Sequence, residues 1–267
     1  MQLCSRLVVW TLLVCLLSAR PVFAADEAAP KGELIKFVFD QSKIFPGTTR
    51  DVTVYIPRQY DPAKPACLYV NQDGVQFNAP TVFDELIHKH EMPITIGVFV
   101  TPGVVKAVSD QSLPRFNRSF EYDTLSDQYV RFLLEEILPE VEKTTRLRHD
   151  AASRAIGGIS SGGICAWTVA WERPNDFRKV LSNVGSFVNL RGGHVYPEKV
   201  LESEKKPIRV FLCDGRNDNR GLRNGRYDEK MDWFHQNIRL MNALTKKGYD
   251  VSYSWGMNRH GQKFGGG

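Results

Sequence analysis

The stretch that most constrains this chain is residues 157–163, which read Gly-Gly-Ile-Ser-Ser-Gly-Gly. A short strand-like run precedes it and an apolar helical pattern follows, so the sequence predicts a strand, a sharp turn and a helix. Gly158, Ser160 and Gly162 have the spacing of a nucleophile elbow. Glycines on either side of such a serine let strand and helix approach without side-chain clashes. We interpret Ser160 as a candidate nucleophile; the alternative is a Gly- and Ser-rich loop without chemistry.

Strand and helix patterns alternate along the chain, which is typical of an α/β fold. Short apolar runs predict buried strands at residues 66–70, 94–100, 154–156, 180–184, 208–213 and 251–255. Helical patterns cover residues 81–90, 124–142, the stretch after the elbow, and 228–247, whereas residues 101–122 are predicted as a long loop. The runs at 34–39 and 49–57 predict an antiparallel pair. We expect a mostly parallel central sheet with helices on both faces and antiparallel N-terminal strands.

Polar side chains follow three of the predicted strands. In a parallel sheet, sites form at the carboxyl ends of the strands, so groups that follow different strands can meet. Ser160 follows the strand predicted at 154–156, and Asp214 and Asp218 follow the one at 208–213. His260 follows the last strand, at 251–255. A histidine can take the proton of a serine hydroxyl, and an acid can orient that histidine. The longer reach of its loop favours Asp218 as the acid, and Asp214 is the alternative.

Hydrolytic chemistry at Ser160 also needs two backbone donors for the developing oxyanion. One should be the N–H of Ser161, directly after the nucleophile. The other should come from Gly74 or Val75, in the loop that follows the 66–70 strand. This second assignment is positional, because no side chain identifies the donor.

Composition excludes several other classes of protein. The chain has 267 residues, 42% of them hydrophobic and 24% charged, which suits one globular domain over residues 33–267. Its net charge of +5 is mild, and it has no dense basic stripe interleaved with aromatic residues, so a nucleic-acid partner is not expected. No His, Cys, Asp or Glu residues have metal-ligand spacing. We therefore expect neither a metal nor another cofactor.

The N-terminus has the features of a signal peptide over residues 1–24. Arg6 provides a positive start, an apolar core follows, and Val22 and Ala24 place small residues before a cleavage site. Residues 25–32 then form a short linker. We expect export to the periplasm or the cell exterior, and no membrane span in the mature chain, since the apolar run is short for a bilayer.

With these residues in place, the chain resembles the esterase D-like branch of the α/β-hydrolases, and in particular exported enterochelin (ferric enterobactin) esterase-like esterases. The resemblance covers nearly all of residues 33–267. It implies a carboxylic ester hydrolase with Ser160, Asp218 and His260 as its triad, and it places Arg118 and Glu121 at the border of the substrate cleft. The residues that carry it are Asn71-Gln72-Asp73-Gly74, Arg118-Ser119-Phe120-Glu121-Tyr122, residues 132–139, residues 158–163, Asp214-Gly215-Arg216-Asn217-Asp218, His260 and Gly265-Gly266.

The family leaves the substrate open, with siderophore esters and carbohydrate-linked esters as candidates. If Arg115, Arg118 and Arg191 share the cleft, they favour an acidic or catecholate-bearing small molecule. Family members usually continue into a helix after the histidine loop, whereas this sequence ends seven residues after His260, so we expect that loop to be tethered at one end only. This departure keeps open a degenerate, binding-only protein as an alternative to hydrolysis. Acyl transfer is a further alternative.

Overall fold

The structure is a computed structural model that describes residues 28–260. The predicted signal peptide (1–24) and the segment after His260 lie outside these residues. Among residues 28–260, no helix is both long enough and apolar enough to cross a bilayer.

Within the described residues, ten strands form one sheet in the order β12-β9-β8-β7-β3-β4-β2-β5-β6, with β1 paired to β2. The remaining two strands, β10 and β11, form a separate antiparallel hairpin. In chain order the strands are β1 (Glu33–Phe39), β2 (Thr48–Ile56), β3 (Cys67–Gln72), β4 (Thr95–Val100), β5 (Val104–Val105), β6 (Arg115–Phe116), β7 (Arg154–Ile159), β8 (Lys179–Asn183), β9 (Arg209–Gly215), β10 (Arg220–Arg223), β11 (Arg226–Asp232) and β12 (Asp250–Gly256).

The run from β12 to β4 is parallel throughout, while β1 and β2 are antiparallel to their neighbours. This confirms the predicted α/β-hydrolase-like sheet with antiparallel N-terminal strands. The helices are α1 (Ala79–His88), α2 (Arg118–Tyr122), α3 (Gln128–Phe132), α4 (Leu138–Val141), α5 (Ser161–Glu172), α6 (Tyr196–Glu202) and α7 (Trp233–Lys246).

Side chains alternate between the two faces of the sheet, and each face has its own apolar core. On one face, Phe83 and Ile87 of α1 pack against Tyr69 and Phe99. On the other face, α3, α5 and α7 contribute to a larger cluster that includes Val70. Helix α5 is buried along nearly its whole length, which explains its apolar sequence on every side. The elbow is therefore fixed between a central strand and a buried helix.

The helix predicted at 124–142 is interrupted. It begins at Gln128 as α3, passes through a π-helical segment (Leu133–Ile137) and continues as α4. Pro139 lies in the first turn of α4, where a missing N–H leaves no hydrogen bond unmade.

The helix predicted at 228–247 begins five residues late, at Trp233, because residues 226–232 form a strand. Arg223 pairs with Arg226 around Asn224 and Gly225, which have φ angles of 49° and 72°. An Asn-Gly pair favours this two-residue turn, since both residues tolerate positive φ. The side chain of Asp232 then accepts a hydrogen bond from the N–H of His235 and caps α7.

The predicted loop at 101–122 also contains regular structure. Strands β5 and β6 pair with each other beside β2, and residues 118–122 form helix α2. These elements are too short to produce a periodic pattern in the sequence, which explains why they were predicted as loop. Helix α2 places its residues next to the elbow, where it contacts α5.

Candidate active site

Adjacent parallel strands each deliver polar groups to one edge of the sheet. Across the order β12-β9-β8-β7-β3, the loops after the strands contain His260, Asp218, Ser186, Ser160 and Val75. Because parallel strands end at the same edge, these loops converge although they are far apart in sequence.

Ser160 occupies the turn between β7 and α5 with φ 59° and ψ −120°. A positive φ is uncommon for a residue with a side chain and indicates a strained turn. A Cβ added to Gly158 would lie 2.6 Å from the carbonyl carbon of Gly162, so any larger residue would force the turn to open. The predicted elbow is therefore present in the backbone, with the serine at its apex.

The side chains of Ser160, His260 and Asp218 form a continuous hydrogen-bonded line. His260 Nε2 lies 2.9 Å from Ser160 Oγ, and His260 Nδ1 lies 2.7 Å and 3.0 Å from the two oxygens of Asp218. An ionised carboxylate only accepts hydrogen bonds, so Nδ1 of the imidazole carries the proton. Nε2 is then free to accept the hydroxyl hydrogen of Ser160. The imidazole thus presents its unprotonated nitrogen to the serine hydroxyl.

Asp214 lies at the end of β9, four residues before Asp218, and faces different groups. Its carboxyl accepts hydrogen bonds from the N–H of Gly215 at 2.6 Å and from Nδ2 of Asn237 at 2.8 Å. Burial, with the nearby Asp218 as a second cause, raises the pKa of Asp214 well above its ordinary value. Of the two acids that the sequence left open, Asp218 is the one in contact with His260.

The candidate oxyanion donors lie on both sides of the elbow. The N–H of Ser161 belongs to the first turn of α5, where helical N–H groups have no acceptor within the helix. The N–H of Gly74 donates to the carbonyl of Val100 at 3.2 Å and is therefore already engaged. The N–H of Val75 has no backbone acceptor among the described residues. Of the two predicted positions in this loop, only Val75 retains a free amide there.

Arg118 holds the loop after β3 against the elbow. Its guanidinium makes two parallel bonds to Asp73, with Nε–Oδ1 at 2.7 Å and Nη2–Oδ2 at 2.8 Å, and Nη2 also donates to the carbonyl of Ile159 at 3.3 Å. Paired bonds of this kind fix orientation as well as distance. Arg118 therefore lies at the edge of the site, but its guanidinium is occupied by protein groups.

Glu121, predicted to border the substrate cleft, is only 2% exposed. Both of its carboxylate oxygens bond to the Arg50 guanidinium, at 2.7 Å and 3.1 Å, and Nδ2 of Asn117 donates to it at 3.2 Å. Arg50 in turn lies over the ring of Phe132. That prediction does not fit this environment, because a fully paired and buried carboxylate cannot contact a substrate. A single sequence cannot distinguish such a core ion pair from a cleft residue.

Arg191 lines a surface groove of about 360 Å³ together with a second arginine. Its guanidinium lies 5.6 Å from the centre of the Phe120 ring, within range of a cation–π contact. Near Ser119 of the groove and Ser161 of the elbow lies the buried Asp123; burial raises the pKa of its carboxyl, and the two serine hydroxyls offset part of this rise. The groove is lined by Arg115, Phe116, Asn117, Ser119, Phe120 and Arg191.

Two residues that the sequence did not suggest also contact the candidate triad. Ser186 Oγ lies 3.1 Å from Ser160 Oγ, and the ring of Trp233 packs edge-on against the ring of His260. Ser186 follows the end of β8, so the strand-end rule could have identified it, whereas Trp233 begins a helix and had no such signal. Among residues 28–260, no group of three His, Cys, Asp or Glu side chains is arranged to hold a metal ion.

Comparisons with known proteins agree with this architecture. A family model described as "Putative esterase" matches residues 42–259. A search of curated proteins found no match. Among solved structures, the enterobactin esterase of Shigella flexneri, crystallised with 2,3-di-hydroxy-N-benzoyl-glycine, superposes with a TM-score of 0.64 and 18% identity over 87% of this chain and 56% of that chain.

Two further structures show a similar relation. Ferric enterobactin esterase from Salmonella typhimurium has a TM-score of 0.63 and 20% identity, over 86% of this chain and 54% of that chain. A ferulic acid esterase from Anaeromyces mucronatus has a TM-score of 0.62 and 17% identity, over 88% of this chain and 86% of that chain. The chain thus spans about half the length of the enterobactin esterases, and at these identities the likeness is one of fold.

Proposed function

The chain belongs to the esterase family, and from this premise we propose that it hydrolyses carboxylic esters through an acyl-enzyme formed on Ser160. The observation that carries the proposal is the 2.9 Å contact between Ser160 Oγ and His260 Nε2, with Asp218 on the other ring nitrogen. This is the arrangement in which a serine hydroxyl becomes nucleophilic at neutral pH.

In the proposed reaction, Ser160 Oγ attacks the ester carbonyl while its proton moves to His260 Nε2. Asp218 stabilises the imidazolium that results. The imidazolium then protonates the departing alcohol, which leaves the acyl group on Ser160. Water attacks the acyl-enzyme, again losing a proton to His260, and the acid is released. No cofactor takes part in these steps.

The oxyanion of each tetrahedral intermediate would be held by the amides of Ser161 and Val75. The engagement of the Gly74 N–H by Val100 supports Val75 over Gly74, and the Asp73–Arg118 pair anchors the loop that holds this amide. Donors held in place before the reaction need no reorganisation as charge develops, which makes them effective. Arg118 is therefore proposed to position this loop.

For the substrate, we propose an ester that carries an acidic or catechol-bearing aromatic group. Arg115 and Arg191 line the groove beside the elbow together with two phenylalanine rings. Cationic and aromatic surfaces together favour a flat, electron-rich or anionic ligand. Comparing kcat/KM for an anionic aryl ester and a neutral ester of the same size tests this. A preference for the neutral ester, or no loss of discrimination in Arg191→Gln, would contradict it and leave carbohydrate-linked esters as the alternative.

The decisive experiment compares the wild type with Ser160→Ala in hydrolysis of p-nitrophenyl acetate. We expect a loss of at least about 10³-fold in kcat, because the nucleophile is removed. Ser182→Ala is the matched control, since Ser182 is buried nearby and its hydroxyl has no partner among the described residues. Wild-type turnover in Ser160→Ala would refute the assignment.

A fluorophosphonate probe separates hydrolysis from a binding-only role. An activated serine reacts with the probe, whereas the serine of a degenerate site does not. We expect labelling at Ser160 in the wild type and none in Ser160→Ala. Adding a competing alcohol then tests acyl transfer, because a transferase would yield the transesterified product in place of the free acid.

We also propose that the protein is exported, on the basis of the signal-like residues 1–24. Expression of the full chain should yield a mature protein that begins at Ala25, as measured by intact mass. A retained Met1 on protein recovered from the cytoplasm would contradict export.

A further inference from the structure

We propose that Ser186 is a fourth member of this catalytic group, donating a hydrogen bond to Ser160 Oγ, and that Trp233 positions it. The inference rests on the proposed ester hydrolysis at Ser160. The two hydroxyl oxygens lie 3.1 Å apart, and Trp233 Nε1 lies 3.2 Å from Ser186 Oγ. Ser186 is 1% exposed, so water does not compete for its hydroxyl.

The direction of each hydrogen bond follows by elimination. An indole N–H can only donate, so Ser186 Oγ accepts from Trp233. Ser160 has a single hydroxyl hydrogen, and it points to Nε2 of His260, whose other nitrogen carries the ring proton. The remaining hydrogen between the two serines therefore belongs to Ser186. Trp233 therefore donates to Ser186, Ser186 donates to Ser160, and Ser160 donates to His260.

The backbone places Ser186 rigidly for this contact. The N–H of Ser186 donates to the carbonyl of Ser160 at 3.0 Å, while the N–H of Ser160 donates to the carbonyl of Asn183 at 2.9 Å. The turn between them requires φ 42° at Val184, which is a strained conformation for a β-branched residue. Two strained turns, at Val184 and at Ser160, are thus joined to each other by paired backbone bonds.

Trp233 connects Ser186 to the other two members of the candidate triad. Its backbone N–H donates to the carbonyl of Asn219, directly after Asp218, at 3.0 Å. Its ring lies edge-on to the His260 ring, with centroids 5.6 Å apart. As the first residue of α7, it is held by the capped start of that helix. One side chain therefore contacts both the base and the donor to the nucleophile.

The hydrogen bond from Ser186 gains strength during the reaction. When Ser160 Oγ gives its proton to His260 it acquires negative charge, and hydrogen bonds to charged acceptors are stronger than those to neutral ones. The same holds when Oγ departs from the acyl group in the second half of the reaction. Ser186 keeps its own proton throughout. Because the bond is stronger in the transition states, its loss should lower kcat and leave KM largely unchanged.

The test compares Ser186→Ala with Ser182→Ala in steady-state hydrolysis of p-nitrophenyl acetate. We expect kcat to fall about 10- to 100-fold in Ser186→Ala, which is the effect of losing one hydrogen bond to an atom that becomes charged. KM should stay within about twofold of the wild-type value. Ser182→Ala, a buried serine in the adjacent strand, should retain the wild-type kcat. Melting temperatures identify any loss that comes from unfolding.

Trp233→Phe keeps the ring beside His260 and removes only the indole N–H. We expect kcat to fall about 3- to 10-fold, and the double variant with Ser186→Ala to be no slower than Ser186→Ala alone, because Trp233 acts through Ser186. Purely structural roles would instead give additive losses or changes in KM. If Ser186→Ala does not fold, an unchanged kcat in Trp233→Phe overturns the proposal.

The results distinguish a failure of the proposed ester hydrolysis from a failure of the role of Ser186 alone. A wild type that neither hydrolyses esters nor reacts with the fluorophosphonate refutes the proposed function and this inference with it. An active wild type, an inactive Ser160→Ala and a Ser186→Ala variant with wild-type kcat refute only the role of Ser186.

Discussion

Asp214, near the end of β9, and Asp218, in the loop that follows, are both buried, yet their partners differ. Asp218, 2% exposed, faces the imidazole of His260. Asp214, 0% exposed, accepts hydrogen bonds from two neutral donors, the Gly215 N–H and the Asn237 amide, and lies beside Asp218. A buried carboxylate needs a compensating positive charge, and only Asp218 has a neighbour that can acquire one.

This difference indicates how two acids can be buried close to one another. Like charges in close proximity do not both ionise, so one carboxyl retains its proton while the other carries the charge. Burial and the nearby Asp218 raise the pKa of Asp214, which identifies it as the neutral member. Asp218, the acid that faces His260, is then the one placed to stabilise the proposed imidazolium.

Removing the charge on Asp218 should have the largest effect. In Asp218→Asn, the amide would favour the wrong tautomer of His260 and could not stabilise the imidazolium, so we expect kcat for ester hydrolysis to fall about 10⁴-fold. Asp214→Asn, four residues away at the end of β9, is the matched control, and its kcat should stay within about tenfold of the wild type. The reverse pattern would exchange the roles of the two acids.

Glu121 is a third buried carboxyl group, and it differs from Asp214 and Asp218 because it is paired with a permanent cation. Glu121→Gln leaves the Arg50 guanidinium buried without its counter-charge, and we expect the free energy of unfolding to fall by about 3–5 kcal/mol. Urea denaturation measures this loss. Glu135→Gln, which breaks an exposed pair with Arg131, should cost no more than about 0.5 kcal/mol. Equal losses in the two variants would contradict the distinction.

The smallest effect should come from Asp214→Asn and should depend on pH. The folded state retains a proton on Asp214 that the unfolded chain releases above about pH 4, so the folded wild type binds more protons and its stability falls as pH rises toward the raised pKa. The neutral asparagine lacks this dependence. Between pH 6 and 7.5 the variant should therefore gain up to about 2 kcal/mol relative to the wild type.

Urea denaturation at the two pH values measures this relative gain. Asp40→Asn, at an exposed aspartate, is the control and should show no such change. A constant difference between Asp214→Asn and the wild type would mean that Asp214 is ionised in the folded protein throughout this pH interval.

Much of the fold could be predicted from local patterns. The predicted strands of the parallel sheet lie within a few residues of those observed, because a short apolar run between turn residues is encoded by the run itself. Helix α7 begins later than the helical pattern predicts because the Asn224-Gly225 turn makes a hairpin of the residues before it. The π-helical segment at Leu133–Ile137 had no signature in the sequence.

Some residues of the candidate site could likewise be predicted from local sequence, and others could not. Gly158, Ser160 and Gly162 were identifiable because their spacing is a local requirement of the turn. The environment of Glu121 could not be predicted, because the sequence does not distinguish a carboxylate that pairs with a buried arginine from one that binds a substrate. The contact of Ser186 with Ser160 was also hidden, because it depends on β8 lying beside β7.

The sequence by itself determined the elbow, the order of serine, acid and histidine along the chain, and the strands that carry them. Only the tertiary structure decided that Asp218 and not Asp214 meets His260, that the Gly74 amide is engaged while that of Val75 is not, and that Ser186 and Trp233 contact Ser160 and His260. The reason is physical. Spacing and periodicity act over a few residues, whereas the distance between loops depends on strand order and register, and the charge of a buried acid depends on what packs around it.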